Sequence, residues 1–276
     1  MSLSVNTNAG ALIALQNLTS TESQLSTAQN EVSTGLAVSA PSDNGAIWAI
    51  AQNQRSQSSA LDSVKQSLQR VQSTVNVATS AGTTVSDLLS QLKSAALSAS
   101  DTSLDTTSRT ALNAQFGSIL SQISKVVSSA SFNGANLIKS GATNLAALAN
   151  ADGTSQLTVT AQDLSLGGAN IANITAGTSI LTATTATTAL GNINTAISNV
   201  NNALAKLGSS STALGDQLTF VGNLQDTINT GVGNLVDANL AAESAKLQAL
   251  QTKQSLGVQA LSIANSSSSA LLSLFR

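Results

Sequence analysis

Apolar residues recur along this chain in alternating steps of three and four. Leu61, Val64, Leu68, Val71, Val75, Ala78, Gly82, Val85, Leu89, Leu92, Ala96 and Ala99 hold the rhythm throughout, with Gly82 its weakest member. This is a heptad seam of more than five repeats, and it predicts one helix across the stretch. At ~1.5 Å per residue the rod is roughly 60 Å long. A helix of that length cannot be wrapped inside a globule, so its seam calls for partner helices of similar length. Leu112, Phe116, Ile119, Ile123, Val126 and Ala130 supply one. Leu190, Ile193, Ile197, Val200, Leu204 and Leu207 supply another, whose phase runs on through Leu214, Leu218, Val221, Ile228, Val232 and Leu235. Gly208 and Gly215 fall inside this last stretch at ~1 kcal/mol each. The unbroken phase predicts that the helix continues through them.

The two ends form a further pair. Leu15, Leu18, Leu25, Ala28 and Val32 make one stripe; Leu240, Leu247 and Leu261 keep sevenfold spacing in the other, with Gln254 in phase between them. Gly35 reads as the stop of the first helix, and Pro41 to Gly45 as a loop leading to the next. Asp101 to Ser108 is a second break, rich in helix-capping residues. The centre differs: from Gly141 to Ala189 the only charges are Asp152 and Asp163. There Ala151 to Thr154 predicts a turn, and Gln156 to Thr160 alternates as a half-buried strand does. The low-complexity run from Thr184 to Ala189 receives no assignment.

The expected fold is therefore mainly α: a long antiparallel helical bundle with a small central β-hairpin segment and paired terminal helices. Residues 1–40 and 240–276 form the terminal coiled coil, 41–140 and 190–239 the long bundle, and 141–189 a small β-rich surface segment. The chain ends are expected together at one end of the bundle, and the hairpins at the other.

Composition narrows the chemistry. The 276 residues include no His, no Cys, one Pro and five aromatics, and only 9% are charged. Ser, Thr, Asn and Gln make up 118 of them. Without His or Cys there is no Ser-His or Cys-His triad, no disulfide framework and no ordinary zinc site. No catalytic, cofactor or metal residues are assigned, and no enzyme activity is expected. A net charge of -2 leaves no electrostatic footprint for nucleic acid. No apolar run reaches ~18 residues, so no membrane insertion is expected. The first basic residue is Arg55, which does not fit the basic start of a secretory signal.

Local features are mostly structural. Asp101 and Asp105 are read as helix-start caps. Asp62 and Lys65 are read as a solvent-face ion pair worth a few tenths of a kcal/mol. Three Asn-X-Ser/Thr matches, at Asn17, Asn173 and Asn265, are no more than so Asn- and Ser-rich a chain yields by chance. The terminal stripes carry more information. The first forty residues hold only Glu22 and Glu31 as charges, and residues 254–275 hold none. Solvent-facing helices normally carry more. Uncharged polar groups bury at lower cost than ions, so these faces are expected to become buried on assembly. Short helices left alone are marginal, so the ends are expected to be mobile in a monomer.

The same residues carry a family resemblance. Val5-Asn6-Thr7-Asn8, with Ala11-Leu12 and Asn17-Leu18, resembles the opening of bacterial flagellins. Leu25 to Ala28 and Val32 to Leu36 resemble the family's "LxxAxxxLSSGL", and Pro41 to Ala46 its "AxDDAAG". Ser131-Phe132-Asn133-Gly134 resembles "xFNG", Ala213 to Phe220 resembles "LGAxQNRF", and Asp237 to Glu243 resembles "DADYATE". Leu271 to Arg276 is similar to "VLSLLR". The resemblance covers about four-fifths of the chain, in order.

What the resemblance implies is a subunit exported unfolded by the flagellar type III apparatus without a cleaved signal. It would polymerise outside the cell into a helical homopolymer, the flagellar filament that drives swimming. Its implied partners are copies of itself or other flagellins, an export chaperone, and the cap and hook-junction proteins. The expected assembly interface is Leu12, Leu15, Leu18, Leu25 and Val32 with Leu240, Leu247, Leu250, Leu261, Leu272 and Phe275. A hook–filament junction protein is the alternative, followed by an adhesive coiled-coil fibre. Two departures stand out. Ala37 to Ala40 carry none of the basic residues common there in the family. The family's immune-receptor determinants fall near Gln91, Ala95 and Gln115, which implies weak activation of Toll-like receptor 5.

Overall fold

The structure is a computed structural model that describes residues 7–273, with side chains placed through residue 266. Five helices and one hairpin follow in order: α1 (Ala9–Thr34), α2 (Gly45–Ala99), α3 (Thr106–Ser129), β1 (Leu145–Leu148), β2 (Gln156–Val159), α4 (Ala183–Val236) and α5 (Leu240–Ser273). The chain divides into two compact units, residues 57–226 and the remainder on either side of them.

Residues 57–226 form a bundle around the predicted seam. Every member of the run from Leu61 to Ala99 is buried. Gly82 is not a gap in it: a Cβ there would stand 2.7 Å from Leu204 Cδ2, so the missing side chain lets α4 come close. α4 continues through Gly208 and Gly215 as its phase predicts, and it starts at Ala183, which resolves Thr184 to Ala189 as helix. It is antiparallel to α2: Gln72 Nε2 donates to Ser211 Oγ at 2.6 Å and Gln225 Nε2 to the Ser58 carbonyl at 3.1 Å. α3 returns along α2 after a turn at residues 100–105. Asp105 caps it, its carboxylate accepting from Ser108 N at 2.9 Å, while Arg109 Nε donates to the last carbonyl of α2, Ala99, at 3.0 Å. Asp101 closes the same turn on Ser103 N at 2.8 Å. Asp105 thus takes the helix-start role expected of both aspartates, whereas Asp101 closes the turn before the helix instead of capping it. The Ser103 amide holds the Asp101 carboxyl, and the Ser108 hydroxyl and amide hold the Asp105 carboxyl, below the usual carboxylate range. Phe116, Leu120 and Ile123 of α3 are fully buried.

The central segment contains one antiparallel hairpin, with Leu145 opposite Val159 and Leu148 opposite Gln156. It does not sit at the end of the bundle opposite the chain termini, as expected. Leu148 N donates to Ser67 Oγ and Gln217 Nε2 to the Ala149 carbonyl, which places it toward the Gln57 and Asp226 ends of the long helices. The reason is α3: at 24 residues it spans about 36 Å, so it delivers the chain well back along α2 before the hairpin starts. Beyond β2 there is no second hairpin but a coil fastened by backbone hydrogen bonds, Gln162 N to Leu137 O and Leu164 N to Ile138 O, both 2.8 Å. Its Ile171, Ile174 and Ile180 are fully buried.

The Asp62–Lys65 ion pair does not form. Lys65 Nζ donates to Gln225 Oε1 at 3.2 Å and Asp62 Oδ1 accepts from Gln225 Nε2 at 2.8 Å. A side-chain amide presents both a donor and an acceptor, and it satisfies both ions from α4.

Candidate assembly interface

α1 and α5 lie side by side. Asn8 starts the contact: its Oδ1 caps α1 by accepting from Ala11 N at 3.0 Å, and its Nδ2 donates across to the Ala264 carbonyl at 2.8 Å. Leu25 and Ala28 of α1 then pack on Leu250, with Leu247 at the margin. Lys246 is shared by Glu31 and Glu243, at 3.9 Å and 3.1 Å.

α1 stops at Gly35, whose φ of 72° closes the helix through its N–H to the Glu31 carbonyl at 2.9 Å. Leu36 then bridges to Asp237, the residue after α4: Ala37 N donates to Val236 O at 2.7 Å, and Ala238 N to Gly35 O at 2.9 Å. Beneath this bridge Val38, Ala51, Val232 and Val236 form a buried cluster with Trp48, Ile47, Ile228 and Leu36 around it. That cluster draws the first turns of α2 and the last of α4 into the terminal unit, so the compact units part at 56/57 and 226/227. Asp43 ties the loop. Its Oδ2 accepts from Ser39 N and Ala40 N, both at 2.9 Å, and these bonds, Ala40's foremost, hold its carboxyl below the usual range. Asn44 Oδ1 caps α2 by accepting from Ile47 N at 3.1 Å.

The expected interface residues divide into three groups. Leu25 and Leu250 are buried in the α1–α5 seam of the chain itself; Leu18, Val32, Leu247 and Leu261 are half-buried. Leu12, Leu15 and Leu240 are exposed, Leu12 at 61%. The Leu272 side chain and Phe275 lie outside the described residues, as do the opening Val5-Asn6 and, of the closing motif, Leu274 to Arg276. Ile13, Leu256, Val258 and Ile263 are also exposed, Ile263 at 69%. Sevenfold spacing passes over these four because it selects one face per helix. Their signal in the sequence is apolar residues off the seam in stretches with little charge.

Such a face is not a membrane span: no helix among the described residues is long and apolar enough to cross one. Large apolar groups presented this way, on helices with little charge, fit a protein surface.

The comparisons with known proteins decide the family. Residues 5–143 match the bacterial flagellin N-terminal helical region, and residues 190–275 match the bacterial flagellin C-terminal helical region. The chain belongs to the bacterial flagellin family. Flagellins FljO and FljM of Caulobacter vibrioides are 55% and 56% identical to it over 273 residues, which is 99% of this chain and 98% of each relative. The flagellin of Brucella melitensis is 38% identical, over 99% of both chains. A crystal structure of Bacillus cereus flagellin shares the fold with a TM-score of 0.50 at 20% identity, covering 56% of this chain and 88% of that one. Among flagellin motifs, Phe132-Asn133-Gly134 forms a turn: Phe132 and Ala135 exchange backbone bonds at 2.9 and 3.0 Å.

Proposed function

We propose that this flagellin is the structural subunit of a bacterial flagellar filament, an extracellular helical homopolymer that serves swimming. The observation that carries the reading is the exposed, charge-poor apolar surface of α1 and α5, in a family whose full-length relatives are named flagellins. Copies pack through the terminal helices, chiefly Leu12, Leu15, Leu240 and the half-buried Leu18, Val32 and Leu261. Each Leu-sized side chain fully buried this way contributes ~1.5–3 kcal/mol. Residues 1–40 and 240–276 form the inner core of the polymer, 41–140 and 190–239 the shell around it, and 141–189 its outer surface. Export proceeds without a cleaved signal, assisted by a chaperone, and growth meets the cap and hook-junction proteins.

Deleting residues 240–276 is expected to leave a soluble helical monomer that does not polymerise. Filaments of that truncation in negative-stain micrographs would refute the reading. Of the immune-receptor positions, Gln91 and Gln115 are exposed and Ala95 is buried. The surface there offers two amides in place of charged groups, and activation of Toll-like receptor 5 is accordingly weak. A reporter assay with the potency of an enteric flagellin would overturn that.

A further inference from the structure

Among the described residues, Asn133 is the one residue other than glycine with a positive φ, at 49°, and Gly134 follows at 79°. They are the two central residues of the tight turn that Phe132 and Ala135 close with backbone bonds at 2.9 and 3.0 Å. Two positive angles are what a two-residue turn of this hand demands, and Asn-Gly meets the demand at least cost. A left-handed backbone still costs a residue with a Cβ more than the ordinary one does.

The turn is exposed, and neither the Asn133 carboxamide nor the Gly134 N–H has a hydrogen-bond partner. A Cβ at Gly134 would meet nothing within 4 Å, so its nitrogen is unshielded. Just beyond the turn the chain is fixed. Asn136 is buried, donates from Nδ2 to the Val127 carbonyl at 2.7 Å and accepts at Oδ1 from Ile138 N at 2.9 Å.

The chain has one other Asn-Gly pair, Asn44-Gly45. There the residue is held on both sides. Its Oδ1 accepts from Ile47 N at 3.1 Å to cap α2, and its main-chain carbonyl accepts from Trp48 N at 2.9 Å. Asp152-Gly153 offers a carboxylate, which resists attack by nitrogen, and Gly153 N donates to the Asn150 carbonyl at 3.3 Å.

We propose that Asn133 is a site of self-modification in the folded chain: it deamidates through its own backbone, while Asn44 is spared. Gly134 N gives its proton to hydroxide and attacks Asn133 Cγ. The new N–C bond closes a five-membered imide, and the amide nitrogen leaves as ammonia after taking a proton from water. Water then opens the imide. Addition at Cγ yields aspartate; addition at the main-chain carbonyl yields isoaspartate, with one more carbon in the backbone. Either product makes the net charge of -2 one unit more negative, at an exposed turn beside Phe132. The Asn136 bonds confine the added length to the turn, so the bundle persists and the modified fraction records the age of the chain.

The test is incubation of the soluble full chain in mildly alkaline buffer, folded and in denaturant, with peptide mapping by mass spectrometry. In the folded chain Asn133 is expected to convert to acid, faster as pH rises, with Asn44 about fivefold or more behind, the ratio a helix cap implies. In denaturant the two sites are expected to convert at similar rates. In Asn133→Asp, which has no amide to lose at the turn, the early release of ammonia is expected to disappear. Circular dichroism checks that the folded samples stay helical. Asn44 keeping pace with Asn133 in the folded chain overturns the proposal. So does an Asn133 that stays intact when folded but converts in denaturant, and so does an unchanged early release of ammonia in Asn133→Asp.

Discussion

The bundle of residues 57–226 and the terminal pair α1–α5 are built from the same small set of residues and use it in opposite ways. In the bundle every seam position of α2 from Leu61 to Ala99 is buried against other parts of the same chain. In the terminal unit the seam between α1 and α5 is narrow, with Leu25, Ala28 and Leu250 at its centre, while Leu12, Ile13, Leu256 and Ile263 face outward. A long helix whose apolar seam is covered by its own chain is finished within one molecule. Two helices laid side by side cover one face each, and the remaining apolar surface has stabilisation to gain from a further protein surface, which in the proposed assembly is another copy. The contrast separates residues that hold the monomer from residues proposed to hold the polymer.

The contrast breaks first in the bundle. Phe116→Ala removes a fully buried ring and is expected to cost about 3–5 kcal/mol, read as a lower denaturant midpoint. A loss below ~1 kcal/mol would mean the bundle is not the stable part. Gly35→Ala comes next. Nothing lies within 4 Å of the added Cβ, so the effect is the left-handed backbone alone, about 1–2 kcal/mol against the end of α1. Asn44→Ala removes the α2 cap and is expected to cost about 1 kcal/mol.

Acid sharpens the comparison differently. The Asp43 carboxyl lies below its usual range, so its contribution is present above that range and lost as pH falls through the depressed value. Amide exchange at Ser39 and Ala40 is expected to speed up there, and to be fast at all pH in Asp43→Asn. The smallest effect on stability and the most telling on assembly is the pair Leu12→Ser with Ile263→Ser. Both side chains are exposed, so the monomer midpoint is expected to move by less than about 0.5 kcal/mol while sedimentable polymer is lost. Normal polymerisation of that double variant would erase the distinction between the two regions.

The sequence by itself determined the long helices and several of their stops, and it carried the family resemblance. Heptad spacing is local and repeated, so it survived the interruptions at Gly208 and Gly215, and the glycine stop at Gly35 and the cap at Asp105 are set by neighbours a few residues away. The position of the hairpin beside Ser67 and Gln217 was decided only in three dimensions, by the length of α3. So was the fate of Asp62 and Lys65, since the amide that separates them comes from a residue 160 positions further on. The sharing of Lys246 by Glu31 and Glu243 is of the same kind. Charge scarcity marked the terminal helices as surfaces for burial. Which of their leucines the chain itself covers depends on how two helices more than 200 residues apart are rotated against each other, and no local spacing encodes that rotation.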